Sequence, residues 1–343
     1  MGVALYGKSA MQLWLHRFNA LDTCAALGVG AASFVARFAA RSGRRLKQGI
    51  VLACFDAAAC ERDLSLVARC GVRLPCEVVS TADSFSQATR LRGVDVIHSS
   101  GNPFESDRYF SLLGNAGLLV PEPELAVAQA ACELGDLGVI WALSLLCGDF
   151  SFSGSSGALV RCEPLSSMRR VSGFIERSAG LTGVGILRRV SPYVVERAAS
   201  PPEIDLALKL SLPPAYGGSG LPRPDLNARI NLGERAAMTT GRGYVVPDVL
   251  WRDAKCALEY DSDEIHLNPE QARLDSTKRF ALSLMGYETV SVTNLMLKDR
   301  CSMDRLACSL ARILGVRIRP RARKYEQRRS ELFALGRRDW SRF

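Results

Sequence analysis

The sequence has little histidine and no cysteine pair at metal-ligand spacing. Three of its 343 residues are histidine, and its eleven cysteines never recur at the C-x-x-C interval of zinc sites and thiol-redox motifs. Many lie in apolar stretches: Cys54, Cys132, Cys147, Cys256 and Cys308. These absences argue against a zinc site and a disulfide scaffold. They predict buried, reduced thiols in a cytoplasmic protein.

A long uninterrupted apolar run is also missing. The best candidate, Ala20–Ala36, is rich in small residues, contains Asp22 and is closed by Arg37. It falls short of the roughly 20 apolar residues that a membrane span needs. The sequence therefore predicts a buried helix there and no membrane partner.

The net charge is low in the body of the chain and concentrated after residue 316. Residues 317–343 hold ten Lys and Arg against three acids, so seven of the nine net positive charges belong to this segment. Such a tail suits a nucleic-acid backbone, and a solvated tail or helix explains it about as well. The candidate DNA contacts are Arg317, Arg319, Arg321, Arg323 and Lys324.

The length predicts two domains before this tail. Residues 1–195 are expected to form a separate, mostly helical α/β domain of unknown role. Strands are predicted at Cys76–Ser80 and Val94–Ser99, and a Gly/Ser loop at Phe150–Ala158. Two helical patterns lie between them, at Glu122–Leu134 and Leu137–Cys147.

Residues 196–316 are predicted to form the second domain, an α+β fold with a mixed sheet flanked by helices. Ser200-Pro201-Pro202-Glu203 has the form of a helix start, with a cap, a first-turn proline and an acid three residues after the cap. Further elements are predicted in this order: a strand at Asn227–Leu232, a strand pair within Tyr244–Asp261, a helix at Pro269–Met285, a strand at Glu288–Thr293 and a helix at Met303–Leu314. The strand–helix–strand crossover implies parallel pairing.

Carboxylates cluster within the predicted strand pair. Asp248 lies on the first strand, and Glu259 and Asp261 share one face of the second because side chains alternate along a strand. Carboxylates held close together persist at neutral pH when they are protonated, solvated or bound to a cation, and hard oxygen ligands favour ions such as Mg²⁺. The cluster predicts a divalent-cation site, against the alternative of ordinary surface acids at a hairpin end.

The second domain resembles the PD-(D/E)xK nuclease superfamily, in the branch related to very-short-patch-repair endonucleases. It is also similar to the endonuclease-like domain found with AbiEi-type antitoxin regulators of bacteria, and the first half is more weakly similar to the N-terminal parts of such regulators. The resemblance covers about residues 198–316. It is carried by SPPE at Ser200–Glu203, PD at Pro247–Asp248, ALEYD at Ala257–Asp261, DSDEIH up to His266, D-x-x-K-R at Asp275–Arg279 and GYETVSVT at Gly286–Thr293.

The resemblance implies an αβββαβα restriction-endonuclease-like fold and Mg²⁺- or Mn²⁺-dependent hydrolysis of DNA phosphodiesters, in defence or repair. It assigns Asp248 and Glu259 as metal ligands and Glu203 as an acid that contacts the metal through water. His266 matches a histidine that activates water or the leaving group. Asp261 stands where the family places its lysine, which leaves Lys278 on the following helix to supply that cation.

Several of these residues also have a structural reading. Glu203 fits a capping acid, His266 a structural histidine, and Asp275 with Lys278 an exposed helix pair. The alternative function is therefore a catalytically inactive, nucleic-acid-binding regulator that keeps the nuclease fold, with a possible toxin partner. The distance from the Lys278 ammonium to Asp248 and Glu259 separates the two readings.

Overall fold

The protein is described by a computed structural model covering residues 3–16, 57–69, 72, 74–81, 91, 94–99, 109–111, 118–153, 157–261, 269–318 and 323–342. The chain divides into two compact units. The first comprises Met1–Leu146, Phe150–Pro192 and Asp339–Phe343, and the second comprises Cys147–Asp149 and Tyr193–Arg338. Most of the basic segment thus belongs to the second unit. The predicted helix at 20–36 lies outside the described residues.

The first unit is built on a mixed sheet with the strand order β3-β2-β1-β5-β4. Its elements are β1 (Val3–Leu5), α1 (Gly7–Leu15), α2 (Ala57–Arg69), β2 (Cys76–Thr81), β3 (Val94–Ser99), β4 (Tyr109–Ser111), β5 (Leu118–Pro121), α3 (Pro123–Leu146), β6 (Phe150–Ser153), β7 (Ala158–Arg161), α4 (Met168–Arg177) and α5 (Val184–Val190). The central strand β1 pairs in parallel with β5 and antiparallel with β2. The predicted strands β2 and β3 are confirmed.

Helix α3 joins the two predicted helical patterns across a kink at Gly135, whose φ of 64° only glycine adopts readily. In the described residues this helix alone is long and apolar enough to cross a membrane, and 67% of its apolar window is buried inside the fold. Such burial is typical of the core helix of a soluble protein.

The prediction of a loop at Phe150–Ala158 is wrong, because strands β6 and β7 form an antiparallel hairpin there. Phe150 and Phe152 contact each other edge to face, and the Ser151 hydroxyl donates to the Leu15 carbonyl. The alternation Phe-Ser-Phe-Ser has the period of a strand, and Gly157 lies in a turn directly before β7. The thiol prediction is confirmed in part: the described cysteines form no disulfide, but Cys132 and Cys308 are exposed.

The second unit holds a mixed sheet with the strand order β13-β12-β11-β8. Its elements are α6 (Pro201–Ser211), β8 (Asp225–Leu226), β9 (Ile230–Asn231), α7 (Glu234–Thr240), β10 (Tyr244–Val245), β11 (Val249–Trp251), β12 (Cys256–Asp261), α8 (Pro269–Leu284), β13 (Glu288–Thr293), α9 (Asn294–Lys298), α10 (Arg300–Ile313) and α11 (Tyr325–Gly336). The strands β8, β11 and β12 form an antiparallel series, and β13 pairs in parallel with β12 after the α8 crossover. The predicted crossover and parallel pairing are confirmed, and the chain as a whole is mixed α and β.

Of two predicted strands of this unit, one is shorter than expected and the other is broken into two. The run predicted at Asn227–Leu232 contains only β9, since Asn227 has a φ of 48° and separates β8 from β9. The first strand of the predicted pair splits into β10 and β11 around Pro247 and Asp248, so Asp248 directly precedes a strand rather than ending one. Strands β9 and β10 pair with each other, and α7, which was not predicted, packs against α8.

One face of the four-stranded sheet packs on α8. Leu250 of β11 and Ala257 of β12 are Cα partners, and they share a hydrophobic cluster with Ala281 and Leu282 of α8. Lys278 lies one helical turn before Ala281, so the same helical face that packs on the sheet also carries the lysine toward it.

The basic segment is partly a core element of the second unit. Helix α11 packs against α6 and buries Leu332, Phe333 and Arg329. The Arg329 guanidinium donates to Asp304 Oδ1 at 2.6 Å and to the Tyr325 hydroxyl at 2.8 Å. Burial at 2% exposure means that Arg329 serves the fold and is not offered to a polyanion.

Candidate functional site

The candidate site is a row of polar residues across the four-stranded sheet. Leu250 pairs with Ala257 and Val249 with Leu258, so the next residue on each side is Asp248, just before β11, and Glu259 on β12. Glu259 is also the Cα partner of Ser291 on β13. Directly opposed residues of neighbouring strands project to the same face. Asp248, Glu259 and Ser291 therefore follow one another on the face that packs on α8, at the next position on that face after the apolar pair Leu250 and Ala257.

The Lys278 ammonium lies between the two carboxylates. Its Nζ is 2.5 Å from Glu259 Oε2 and 4.0 Å from Asp248 Oδ1. The side chains of Lys278, Glu259 and Asp248 retain 20%, 12% and 23% of their exposure, so the cluster is mostly covered yet still open to solvent. Asp248, Glu259 and a lysine side chain thus converge on one place.

The backbone of β12 fixes the orientation of Asp248. The Tyr260 N–H donates to Asp248 Oδ2 at 2.7 Å, which directs the other oxygen, Oδ1, toward Lys278. Because Tyr260 immediately follows Glu259, a single stretch of β12 positions both carboxylates.

Glu203 lies behind Asp248 and is held by three donors. Its carboxylate accepts from the Ala199 N–H at 2.7 Å, the Ser200 hydroxyl at 2.8 Å and the Asn227 side-chain amide at 2.6 Å. Burial, and next the negative charge of Asp248, raise the pKa of Glu203, while its hydrogen bonds act in the opposite direction. Glu203 thus brackets the start of α6 in the manner of a capping acid, and its water-mediated metal contact stays a prediction.

Asn227 is the site residue that the sequence did not reveal. Its N–H donates to the Asp248 carbonyl at 3.1 Å, and its side-chain amide donates to Glu203 Oε2 and to the Arg197 carbonyl. Asparagine is one of the few residues that adopt a positive φ readily, which lets the chain turn out of β8 at this point. An Asn directly after an apolar strand residue is the signal that could have indicated it.

The remaining predicted catalytic residues are placed as follows. Asp261 ends β12 on the same face as Glu259, opposite Thr293, and is partly buried. Lys255, which was not predicted to be catalytic, lies in the turn before β12, and its ammonium donates to the Met285 carbonyl at 3.3 Å. His266 lies outside the described residues.

The donor set fits a hard divalent cation. Mg²⁺ is commonly bound through one or two carboxylates, keeps several waters and takes further oxygens from substrate phosphates. Asp248, directly before β11, and Glu259 of the adjacent strand β12 supply two carboxylates. In the part of the chain that the structure describes, no group of three or more His, Cys, Asp or Glu side chains is arranged as a metal site. The residues present therefore suit an ion shared with a substrate rather than a closed structural site.

The candidate DNA contacts of the basic segment are partly visible. Arg317, Arg323 and Lys324 are exposed, whereas Arg319 and Arg321 lie outside the described residues. Lys324 has a φ of 67° at the start of α11.

The glycine-rich segments do not form phosphate loops. Gly183, in Gly180–Gly185, begins the short helix α5, and a Cβ there would lie 1.9 Å from the Ala128 carbonyl oxygen. This glycine therefore serves close packing against α3. The letters Gly2 to Ser9 match G-x-x-x-x-G-K-S, but Val3–Leu5 is a paired strand and Lys8 forms an ion pair with Glu133.

The candidate site thus comprises Asp248, Glu259 and Lys278, with Asn227 and Glu203 beside Asp248. Searches of protein-family models, of curated proteins and of solved structures found no match to this chain.

Proposed function

We propose that this protein is a metal-dependent endonuclease that hydrolyses DNA phosphodiester bonds, with a PD-(D/E)xK-type site in its second unit. The observation that carries the proposal is the Lys278 ammonium, 2.5 Å from Glu259 and 4.0 Å from Asp248. In this arrangement the lysine of the D/E-x-K signature has moved from β12 to α8. Asp261 is then free to differ from the family pattern without removing the cation from the site.

The connectivity of the second unit supports the same proposal. Helix α6, three antiparallel strands, helix α8 and the parallel strand β13 follow the αβββαβ order expected of the nuclease core. The broken strand β8–β9 and the insertion of α7 and β10 are additions to that order.

Each residue has a distinct role in the proposed reaction. Asp248 and Glu259 would hold a divalent ion, which neutralises charge on the scissile phosphate and lowers the pKa of an attacking water. Lys278 has three N–H donors, so besides holding the carboxylates it can donate to a phosphate oxygen or orient the water. Asn227 and Tyr260 keep Asp248 in position through the hydrogen bonds described above.

The alternative function is a DNA-binding regulator without catalysis. It is favoured by the direct contact between Lys278 and Glu259, since a tight ion pair lowers the charge available to a metal. Both functions require a surface that binds nucleic acid, and only the endonuclease hydrolyses it. A toxin or other regulatory partner belongs to this alternative.

The test is cleavage by the purified full chain. Supercoiled, linear and mismatched DNA are incubated with Mg²⁺ or Mn²⁺ and with EDTA, beside the Asp248→Asn variant. Removing a metal ligand should lower the rate by more than about 100-fold, because outer residues of metal sites already contribute about 10–100-fold.

The matched control is Asp253→Asn, which removes one carboxylate from the exposed turn between β11 and β12. This variant should cleave as the parent does. Metal-independent cleavage, or equal activity of the Asp248→Asn variant, would overturn the assignment. A correctly folded parent with no metal-dependent cleavage on any DNA would leave the regulator.

A further inference from the structure

Arg279 is the last residue of the D-x-x-K-R motif, and the proposed chemistry gives it no role. It directly follows Lys278 on α8, its guanidinium is exposed, and its Nη1 donates to Ser291 Oγ at 3.4 Å. Ser291 is the Cα partner of Glu259 and continues the row beyond it on β13.

Two consecutive cationic residues of α8 therefore face the row at neighbouring positions. Lys278 is directed at Asp248 and Glu259, and Arg279 is directed at Ser291, the next position across the sheet. Neighbouring strands lie about 4.8 Å apart, so a phosphate held at the carboxylate pair by a cation can also be reached by a guanidinium over Ser291. Arginine suits this position because its planar fork matches the geometry of phosphate oxygens.

We propose that Arg279, supported by the Ser291 hydroxyl, forms a phosphate-binding subsite for the DNA backbone at the β13 side of the carboxylate pair. This inference rests on the proposed function and adds to it the direction from which the backbone enters. The subsite would not distinguish DNA sequences, because contacts with phosphates position a protein on the duplex without depending on base identity.

The neighbouring residues are consistent with a bound anion there. Ser291 is only partly buried, so its hydroxyl can donate to a phosphate oxygen while it accepts from Arg279. The exposed guanidinium keeps donors for a ligand, since an arginine side chain offers five N–H groups.

The experiment measures DNA binding separately from cleavage. Fluorescence anisotropy with a labelled duplex is recorded over a salt series for Arg279→Gln and Arg279→Lys, in the Asp248→Asn background so that the DNA stays intact. Arg279→Gln should weaken binding about tenfold and reduce the slope of log affinity against log salt by about 0.9, the value for one lost phosphate contact. Arg279→Lys should restore the slope but only part of the affinity.

The matched control is Arg305→Gln. Arg305 is likewise an exposed helical arginine that donates to a partly buried serine, Ser302, at 2.9 Å. Equal losses for Arg305→Gln and Arg279→Gln, or no loss for Arg279→Gln, would overturn the subsite.

The outcomes also separate this inference from the proposed hydrolysis. A parent that cleaves DNA while Arg279→Gln binds normally defeats the subsite alone. A parent that never cleaves, together with the expected losses for Arg279→Gln, defeats the hydrolysis and keeps Arg279 as a backbone contact.

Discussion

Replacement of Lys278 by methionine tests whether the lysine ammonium neutralises the two carboxylates at the place where a metal ion would bind. Methionine keeps most of the length and apolar stem and removes the positive charge. At an effective dielectric constant of about 20, Coulomb's law gives roughly 7 kcal/mol of gross attraction for the contact at 2.5 Å and roughly 4 kcal/mol for the one at 4.0 Å. Partial exposure and the cost of desolvation reduce the net loss to about 1–3 kcal/mol.

The loss should depend on pH in a defined direction. Without the ammonium the two carboxylates repel each other, and protonation of one relieves the repulsion. Urea unfolding should therefore show a larger loss near neutral pH than in acid.

The same variant should bind Mg²⁺ more tightly than the parent, because no ammonium competes for the carboxylates. For a dissociation constant of about 1 mM, 10 mM Mg²⁺ would stabilise the folded chain by about 1.4 kcal/mol. A thermal scan would record this as a rise of roughly 2–4 °C. DNA cleavage should fall sharply in the same variant, since the group that orients water and stabilises the phosphate is gone.

The control is Lys255→Met, which removes one positive charge from the same unit at a lysine that contacts the Met285 carbonyl instead. It should change neither cleavage nor the Mg²⁺ response. A Lys278→Met variant that cleaves like the parent, and whose thermal scan responds to Mg²⁺ no more than the control, would refute the reasoning.

Two further predictions concern the fold. Burial raises the pKa of Asp205 from 3.8 to about 6 despite its ion pair with Lys209, so the folded chain holds this proton more tightly than the unfolded chain. The resulting stability, up to about 3 kcal/mol, is complete below about pH 4 and lost as pH rises through about 6. In urea titrations of Asp205→Asn/Lys209→Met, the free energy of unfolding should therefore depend less on pH, and an unchanged pH dependence would contradict this assignment. Gly183→Ala should lower the free energy of unfolding by at least about 2 kcal/mol, since its φ is 86° and its Cβ would lie 1.9 Å from the Ala128 carbonyl oxygen. The control Gly185→Ala, whose Cβ meets no atom within 4 Å, should be neutral or stabilising in the same measurement.

The elements after the carboxylate cluster were predicted closely because local signals and packing agree there. Helix α8 ends at Leu284, one residue before the predicted end, and Gly286, with a φ of 77°, follows it as a typical glycine cap. Strand β13 spans the predicted residues Glu288–Thr293. The alternation of Val290 and Val292 and the parallel partner β12 favour the same assignment.

The elements before it could not be predicted as well. Tyr244–Trp251 is apolar enough for one strand, but its halves pair with different partners, β9 and β8. Asn227 decides this division through a positive φ, and a single polar residue within an apolar run carries little weight in a periodicity analysis. The division of this run into two strands is determined by pairing with distant strands, which the hydrophobic pattern of the sequence does not reveal.

Asp248, Glu259 and Lys278 were predicted as candidate site residues, but Asn227 and the contacts that join these residues were not. Spacing along β12 placed Glu259 and Asp261 on one face, and the antiparallel register brings Asp248 opposite Glu259. The position of Lys278 depends on how α8 packs back onto the sheet, and the role of Asn227 depends on hydrogen bonds to residues 21 and 24 positions away. Contacts of this kind leave no periodic trace in a sequence.

The buried guanidinium of Arg329 has a practical consequence for dissecting this chain. A shortened protein that stops after α10 would lose the arginine while leaving the Asp304 carboxylate without it, and would uncover the surface that Leu332 and Phe333 protect. Any loss of DNA binding by such a truncated protein would reflect aggregation, and it would not measure what the terminal charges contribute to DNA affinity. Neutralising the exposed Arg317, Arg323 and Lys324 one at a time, with α11 kept whole, isolates that contribution.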